Sequence, residues 1–425
     1  MLRRTLIALC LTSLACGKAA ADPEQSNFIL QWSPPIVDAI QNSNIPPCLA
    51  SRNLAIIHIA AFDAANAIDP KYVSYTGIET PDKSLDPAIA SISAIAFSAE
   101  TLFPNHRAVF RSLREEQYRQ LENDIATTIR IQSAHFGENV AKRIIEMRAN
   151  DGSTSALTYV PKNEVGKWKR TPPKYRPPEL SYWSNTRPFA IEHPSQFRIQ
   201  PPPGLNTLEY ARALEEVRTI GSANSKTRTK EQTEIAEFWS CFSYTSTPAG
   251  HWYEIATRTA RKEALPLIES ARLLALISIA MADAGIACWD TKYFYESWRP
   301  IQAIHAADQD GNPDTKSDSS WDSLLESPPH PEYVSGHGSF SGAGGKIMEF
   351  YFNAENGYSF YATSTSLPGV VRRFSSFSEC VEEICLSRLY GGIHFRYSND
   401  RGRQLGEQVA EFILDSQLRP LNKDD

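Results

Sequence analysis

The sequence predicts an all-α fold, a helical bundle with long Pro-rich loops and little or no sheet. Three observations carry that prediction. Apolar residues recur at helical intervals through several long segments. Alternating runs rich in Val, Ile and Tyr, the mark of half-buried strands, are nearly absent. Prolines crowd into one stretch between Tyr159 and Gly204, where helix is disfavoured. With 425 residues, 42% of them hydrophobic, the chain can bury a large core. Its net charge of −6 argues against a generally basic surface and hence against nucleic acid as a partner.

The N-terminus reads as a signal peptide over residues 1–21. Arg3 and Arg4 form a positive start, Leu6 to Ala15 a short apolar stretch, and Ala19-Ala20-Ala21 a small-residue cleavage site. The apolar stretch is too short to span a membrane. Ser13-Leu14-Ala15 is a poor lipoprotein lead-in to Cys16, so ordinary cleavage is favoured. The expected location is therefore exported, either periplasmic or secreted. No later segment reads as a long uncharged apolar run, so no stable membrane insertion is expected. Cleavage leaves Cys48, Cys241, Cys288, Cys380 and Cys385. That odd number leaves at least one thiol without an internal partner, and no C-x-x-C pair points to zinc. A Cys380–Cys385 bridge is conceivable, but helical geometry would suit it poorly.

Residues 22–158 are predicted as an N-terminal helical region. Leu54 to Ile68 is a mostly apolar helix, and Pro104 to Asn150 carries Phe110, Leu113, Leu121 and Ile125 at roughly helical spacing. Residues 159–204 form a Pro- and aromatic-rich excursion. Trp168, Tyr175, Tyr182 and Trp183 argue that it is ordered, wrapped over the core or covering a pocket or interface. Residues 205–425 make a C-terminal helical catalytic region, with Ala264 to Ala287 as a central core helix and a last helix from about Asn399 to Leu414. Residues 22–425 are expected to form one compact domain.

Three short segments in this last region hold the chemistry. In the first, Lys292 and Arg299 are seven residues apart, about two helical turns, which predicts a shared face. Glu296 between them is predicted to pair with either cation, and Pro300 to break the helix just after Arg299. In the second, Ser335-Gly336-His337 reads as an N-cap and first helical turn. Such a turn aims backbone N–H groups at an anion, with His337 beside it. In the third, Arg388 and His394 would point apart on one unbroken helix, but Gly391-Gly392 lets the chain turn so that both converge. Three cations, two histidines and exposed N–H groups suit a tetrahedral oxyanion.

These segments resemble the signature of the vanadium-dependent haloperoxidase and type 2 phosphatidic acid phosphatase superfamily: Lys-(six)-Arg-Pro, Pro-Ser-Gly-His, Ser-Arg-(five)-His. The resemblance covers roughly Cys288 to Gly406, and Val334 stands where the family usually has proline. It implies a haloperoxidase-like helical bundle. It further implies that Lys292, Arg299, Ser335, Gly336, Arg388 and His394 hold one vanadate per chain, with His394 as the vanadium ligand and no haem or flavin. His337 would be the acid–base group, and Lys292 would polarise the bound peroxide. Hydrogen peroxide and halide would be the substrates, hypohalous acid the product, and a homodimer the oligomer. The organic acceptor is not legible. Trp289 matches a tryptophan of the chloroperoxidases and His330 an extra histidine of the bromoperoxidases, which makes both candidates for the halide pocket and leaves halide preference open. The bacterial haloperoxidase-like branch is favoured. The alternative is an exported acid phosphatase that works through a phosphohistidine at His394. Family phosphatases place an aspartate four residues after that histidine; here the position is Ser398, with Asp400 two further on. Asp63, Asp283 and Asp400 are the candidates to orient a site histidine. His58, His106, His135, His193, His251 and His305 read as surface or structural residues.

Overall fold

A computed structural model describes residues 27–79, 82–122, 124–155 and 157–421. The predicted signal peptide lies outside the described residues. Helices run in chain order as α1 (Ser33–Asn42), α2 (Pro47–Ile68), α3 (Pro87–Leu102), α4 (Arg107–Leu121), α5 (Thr127–Met147), α6 (Leu208–Ile220), α7 (Lys230–Phe238), α8 (Thr247–Lys262), α9 (Leu267–Tyr295), α10 (Pro300–His305), α11 (Gly336–Tyr351), α12 (Phe377–Tyr390) and α13 (Arg396–Ser416). Among the described residues the one sheet is a hairpin, β1 (Phe360–Thr363) antiparallel to β2 (Val371–Phe374), with Phe360 opposite Phe374. The all-α expectation holds.

Several boundaries differ from the sequence reading. The first apolar helix starts at Pro47 rather than Leu54, because Pro47 occupies a first-turn position where its missing N–H costs nothing. The segment from Pro104 to Asn150 is two helices with a 3-10 turn (Pro104–His106) ahead of them. The central helix α9 runs eight residues past Ala287, to Tyr295.

Apolar on every face, α9 occupies the middle of the fold, packed by α2, α11 and α13. Both α2 and α9 are long and apolar enough to cross a membrane by length and composition, although each carries buried charge, Asp63 in α2 and Asp283 in α9. In this fold their hydrophobic windows are 94% and 100% buried against neighbouring elements. The five described cysteines are buried and unpaired.

Close packing joins α11 to α13 through glycines spaced four apart on each helix. A Cβ at Gly406 would overlap the Ser339 carbonyl, one at Gly342 the Arg403 carbonyl, and one at Gly338 would sit 2.7 Å from the Asn399 carbonyl. This close approach lets the Ser335 N–H reach the Ser398 carbonyl at 3.1 Å. The start of α11 is thereby pinned beside the start of α13.

The Pro-rich excursion is ordered, and its tryptophans explain why. Trp168 and Trp183 are buried. The Trp168 N–H donates to the Glu296 carbonyl, and the Trp298 N–H to that of Gly166. Asp283, deep in α9, accepts from the N–H groups of Phe189, Ala190 and Ile191 at 2.6, 2.7 and 2.9 Å. The excursion covers the core and also reaches the cavity described below, through Lys174, Arg176 and Glu179.

The glycine seam generates a test. Gly406→Ala forces α13 away from α11, an overpacking change expected to cost about 1–3 kcal/mol. Urea unfolding should show a clearly lowered midpoint; an unchanged midpoint would mean the seam tolerates separation.

Candidate active site

The cations reach one place by a route the sequence reading did not foresee. Lys292 lies in the last turn of α9, which ends at Glu296 in a left-handed conformation (φ 57°). Arg299 is the N-cap of α10, and Pro300 sits in that helix's first turn. Lys292 and Arg299 therefore do not share a helix face. The break falls before Arg299, and Pro300 starts a helix instead of ending one. Glu296 pairs with neither cation; its carboxylate meets Lys162 at 2.6 Å and Lys167 at 3.5 Å.

Each cation is fixed by main-chain carbonyls. Lys292 Nζ donates to Pro331 O (3.0 Å) and Glu332 O (2.9 Å). Arg299 donates from Nε to His330 O (3.0 Å), from Nη1 to Ile393 O (2.8 Å) and from Nη2 to His330 Nδ1 (2.9 Å). Arg388, near the end of α12, donates from Nη1 to Trp239 O at 2.6 Å, while its buried Nε has no partner. The turn after α12 needs glycine: Gly392 has φ 75°, and a Cβ there would overlap the Gly221 carbonyl. His394 follows directly.

His394 is oriented from behind by Glu332, a residue the sequence reading missed. His394 Nδ1 lies 2.7 Å from Glu332 Oε1, which also accepts the Phe395 N–H at 3.1 Å. Arg299 Nη1 donates to His394 Nε2 at 3.1 Å. With Nε2 accepting, Nδ1 must carry the proton, so the geometry assigns the tautomer. Ser398 Oγ is 3.4 Å from Nδ1, a marginal contact. None of the three aspartate candidates orients a site histidine. Asp63 binds the N–H groups of Tyr75 and Thr76, Asp283 holds the Pro-rich excursion, and Asp400 is exposed. The available signal was a lone carboxylate inside Pro329-His330-Pro331-Glu332-Tyr333.

The other predicted residues gather around the same place. Ser335 caps α11, its Oγ accepting from the Gly338 N–H at 3.3 Å. His337 Nε2 is buried without a partner. His330 packs on Trp289 with ring centroids 4.9 Å apart, and Lys292 Nζ lies 5.8 Å from the Trp289 ring. Trp289, His330, Gly336, His337, Arg388 and His394 line one cavity of about 570 Å³. Lys292, Arg299 and Ser335 are buried beside these residues. His251 and His58 are buried, the first with Nδ1 3.3 Å from Cys241 Sγ and the second packed on Tyr253 at 4.8 Å.

Charge dominates this site. Lys292, Arg299 and Arg388 are at most 1% exposed, and Glu332 is their one buried carboxylate neighbour here. Burial pulls Lys292 down to about 8 and both arginines down to about 10. Burial also pushes Glu332 up to about 7, against the opposing pull of Arg299 and Lys292. His330, His337 and His394 are held well below the usual imidazole range, by burial first and then by the surrounding cations, so all three are neutral. An excess of buried positive charge, an orphaned guanidinium N–H and an imidazole lone pair fit a small tetrahedral oxyanion such as vanadate or phosphate. Among the described residues, no group of three or more His, Cys, Asp or Glu side chains is placed to hold a bare metal ion.

The Lys292 shift fixes the sign of a pH effect. Its attracting, protonated form is present below about 8 and lost above it. Phosphate keeps a constant charge between pH 8 and 9, so its affinity, followed by calorimetry, should fall through that window. In Lys292→Gln the fall should vanish; a slope of equal size in the variant would assign it to another group.

Residues 272–423 match the family described as the VCPO second helical-bundle domain. The vanadium chloroperoxidase of Curvularia inaequalis is 28% identical over 288 residues, which are 53% of this chain and 46% of that protein. The match thus spans about half the length of that relative. Among solved structures, a bacterial vanadium-dependent iodoperoxidase superposes with a TM-score of 0.82 at 28% identity, covering 96% of this chain and 99% of its own. A holo-form bacterial vanadium-dependent chloroperoxidase shares the fold, with a TM-score of 0.71 at 19% identity over 93% of this chain and 98% of its own. The matched C-terminal region and the full-length structural likeness agree: residues 272–423 match the second helical-bundle domain, and the chain is similar over its whole fold to bacterial vanadium-dependent haloperoxidases.

Proposed function

We propose that this protein is a vanadate-dependent haloperoxidase that oxidises halide with hydrogen peroxide to hypohalous acid. The observation that carries this reading is the unprotonated Nε2 of His394 held among three buried cations, with Glu332 fixing the opposite nitrogen. The family's haloperoxidase members, among them the iodoperoxidase at 28% identity, support it.

Bound vanadate supplies a Lewis acid that activates peroxide without changing its own oxidation state. Lys292, Arg299 and Arg388 neutralise the oxyanion charge. The Ser335 hydroxyl and the Gly336 N–H, at the positive end of α11, add donors. His394 would provide Nε2 as the ligand atom, and Glu332 keeps its ring oriented with the proton on Nδ1. His337 is neutral and its Nε2 has no partner, so it is the group able to take a proton from incoming peroxide. Trp289 and His330 flank the cavity by which halide arrives. Export to the periplasm or medium is part of the proposal and rests on the basic and apolar N-terminal residues.

One observation favours a second reading. A carboxylate bonded to an imidazole nitrogen is also what a nucleophilic histidine needs, so Glu332 can serve an exported phosphatase in place of the missing aspartate at position 398. Vanadate-loaded protein should oxidise iodide or bromide with peroxide. Ester hydrolysis by the vanadate-free protein, with no halide oxidation after loading, would reverse the choice. His337→Ala should keep vanadate and lose about 10²-fold or more in halide oxidation. Glu332→Ala should hold vanadate about 10–100-fold more weakly while phosphate, which needs only the cations, binds no worse. Full vanadate retention in Glu332→Ala would remove that residue from the mechanism.

A further inference from the structure

Of the five buried cysteines among the described residues, Cys241 is the one that lines the cavity beside the cage. Its surroundings also set it apart. The thiols of Cys288 and Cys385 donate to the main-chain carbonyls of Val334 and Asn399, at 3.7 and 3.9 Å. Cys241 Sγ instead lies 3.3 Å from Nδ1 of His251, a buried ring whose Nε2 has no partner among the described residues. Cys241 follows α7 in a left-handed conformation (φ 48°), which is uncommon for a residue with a Cβ.

The same short segment holds one arm of the cage. Arg388 Nη1 donates to the carbonyl of Trp239, two residues before Cys241, and Arg388 is the cation whose field reaches the thiol. Arg388 lines the cavity too, and among the described residues its buried Nε has no acceptor. Burial pushes the Cys241 thiol up to about 12, so it is protonated at neutral pH and slow toward peroxide, which attacks thiolates. Hypohalous acid is a stronger electrophile and takes an electron pair from a neutral thiol. Burial first, and Arg258 second, pull His251 down to about 4, so its ring is neutral and can accept the thiol hydrogen.

We propose that Cys241 is a redox modification site: hypohalous acid formed at the cage oxidises its thiol to a sulfenic acid, whose oxygen accepts from Arg388 Nε and weakens the hold on the oxyanion. The source of the oxidant rests on the haloperoxidase reading. Sulfur's electron pair forms a sulfur–halogen bond while the halogen–oxygen bond breaks, and the departing hydroxide takes the thiol proton as water. A second water then replaces the halogen at sulfur, leaving the sulfenic acid and releasing hydrogen halide. Sulfur loses two electrons and the halogen gains them. A thiol reductant reverses the change, so the site carries a brake set by its own product.

The test begins on the full mature chain without vanadate. An equimolar dose of reagent hypobromous acid, followed by dimedone to capture sulfenic acid, should label Cys241 ahead of Cys48, Cys288, Cys380 and Cys385 in peptide mass spectra. In an untrapped sample, calorimetry should show phosphate bound about tenfold more weakly, the weight of one charge-assisted hydrogen bond. Dithiothreitol should restore the affinity, and Cys241→Ser should keep it throughout. Capture first at another cysteine, or a Cys241 sulfenic acid that leaves phosphate affinity unchanged, would overturn the inference. In vanadate-loaded protein the label should appear only when bromide and peroxide are both present. Reagent labelling of Cys241 in a protein that oxidises no halide would support the modification site and sink the haloperoxidase reading. Sustained halide oxidation with Cys241 unmodified would overturn the inference and leave that reading standing.

Discussion

Three cations sealed in an apolar bundle with one carboxylate set the terms for everything around them. An unpaired buried charge costs several kcal/mol even after relaxation. Lys292, Arg299 and Arg388 offset part of that cost by donating to the carbonyls of Pro331, Glu332, His330, Ile393 and Trp239. Those carbonyls belong to three separate connections, ahead of α11, ahead of α13 and after α7. The cations thus fix the loops that shape the cavity. What the carbonyls leave uncompensated is net positive charge, which the proposed oxyanion would offset.

The bundle's role is to bring helix ends together. Lys292 lies at the end of α9, Arg299 at the start of α10, Ser335 to His337 at the start of α11, Arg388 at the end of α12 and His394 just before α13. Helix ends carry free N–H groups and tolerate abrupt turns, which helix middles do not. The glycine seam between α11 and α13 holds two of those ends in register through Gly338, Gly342, Gly402 and Gly406. The apolar α9 supplies the rigid floor from which Lys292 and Trp289 project.

Much of the site was legible in the sequence because each segment is local. The spacing of Lys292 and Arg299, the cap at Ser335 and the Gly391-Gly392 turn are read within a few residues. The all-α character followed as directly from apolar periodicity. What escaped was non-local or carried by the backbone. Glu332 is 62 residues from His394 and meets it only through the fold. The Trp239 carbonyl that holds Arg388 leaves no trace in side-chain chemistry. The left-handed turn at Glu296 was hidden because glutamate rarely adopts it, and helical spacing alone put Lys292 and Arg299 on one face. The glycine pairs at four-residue spacing were visible, yet nothing local said which helix they would meet.

The most direct measurement is a crystal structure of the mature protein soaked in orthovanadate. Vanadium density joined to His394 Nε2, with oxygens contacting Lys292, Arg299 and Arg388, is the expected result. Saturating vanadate that leaves this cage empty, or that binds only away from His394, would contradict the assignment of the buried cations to an oxyanion cofactor.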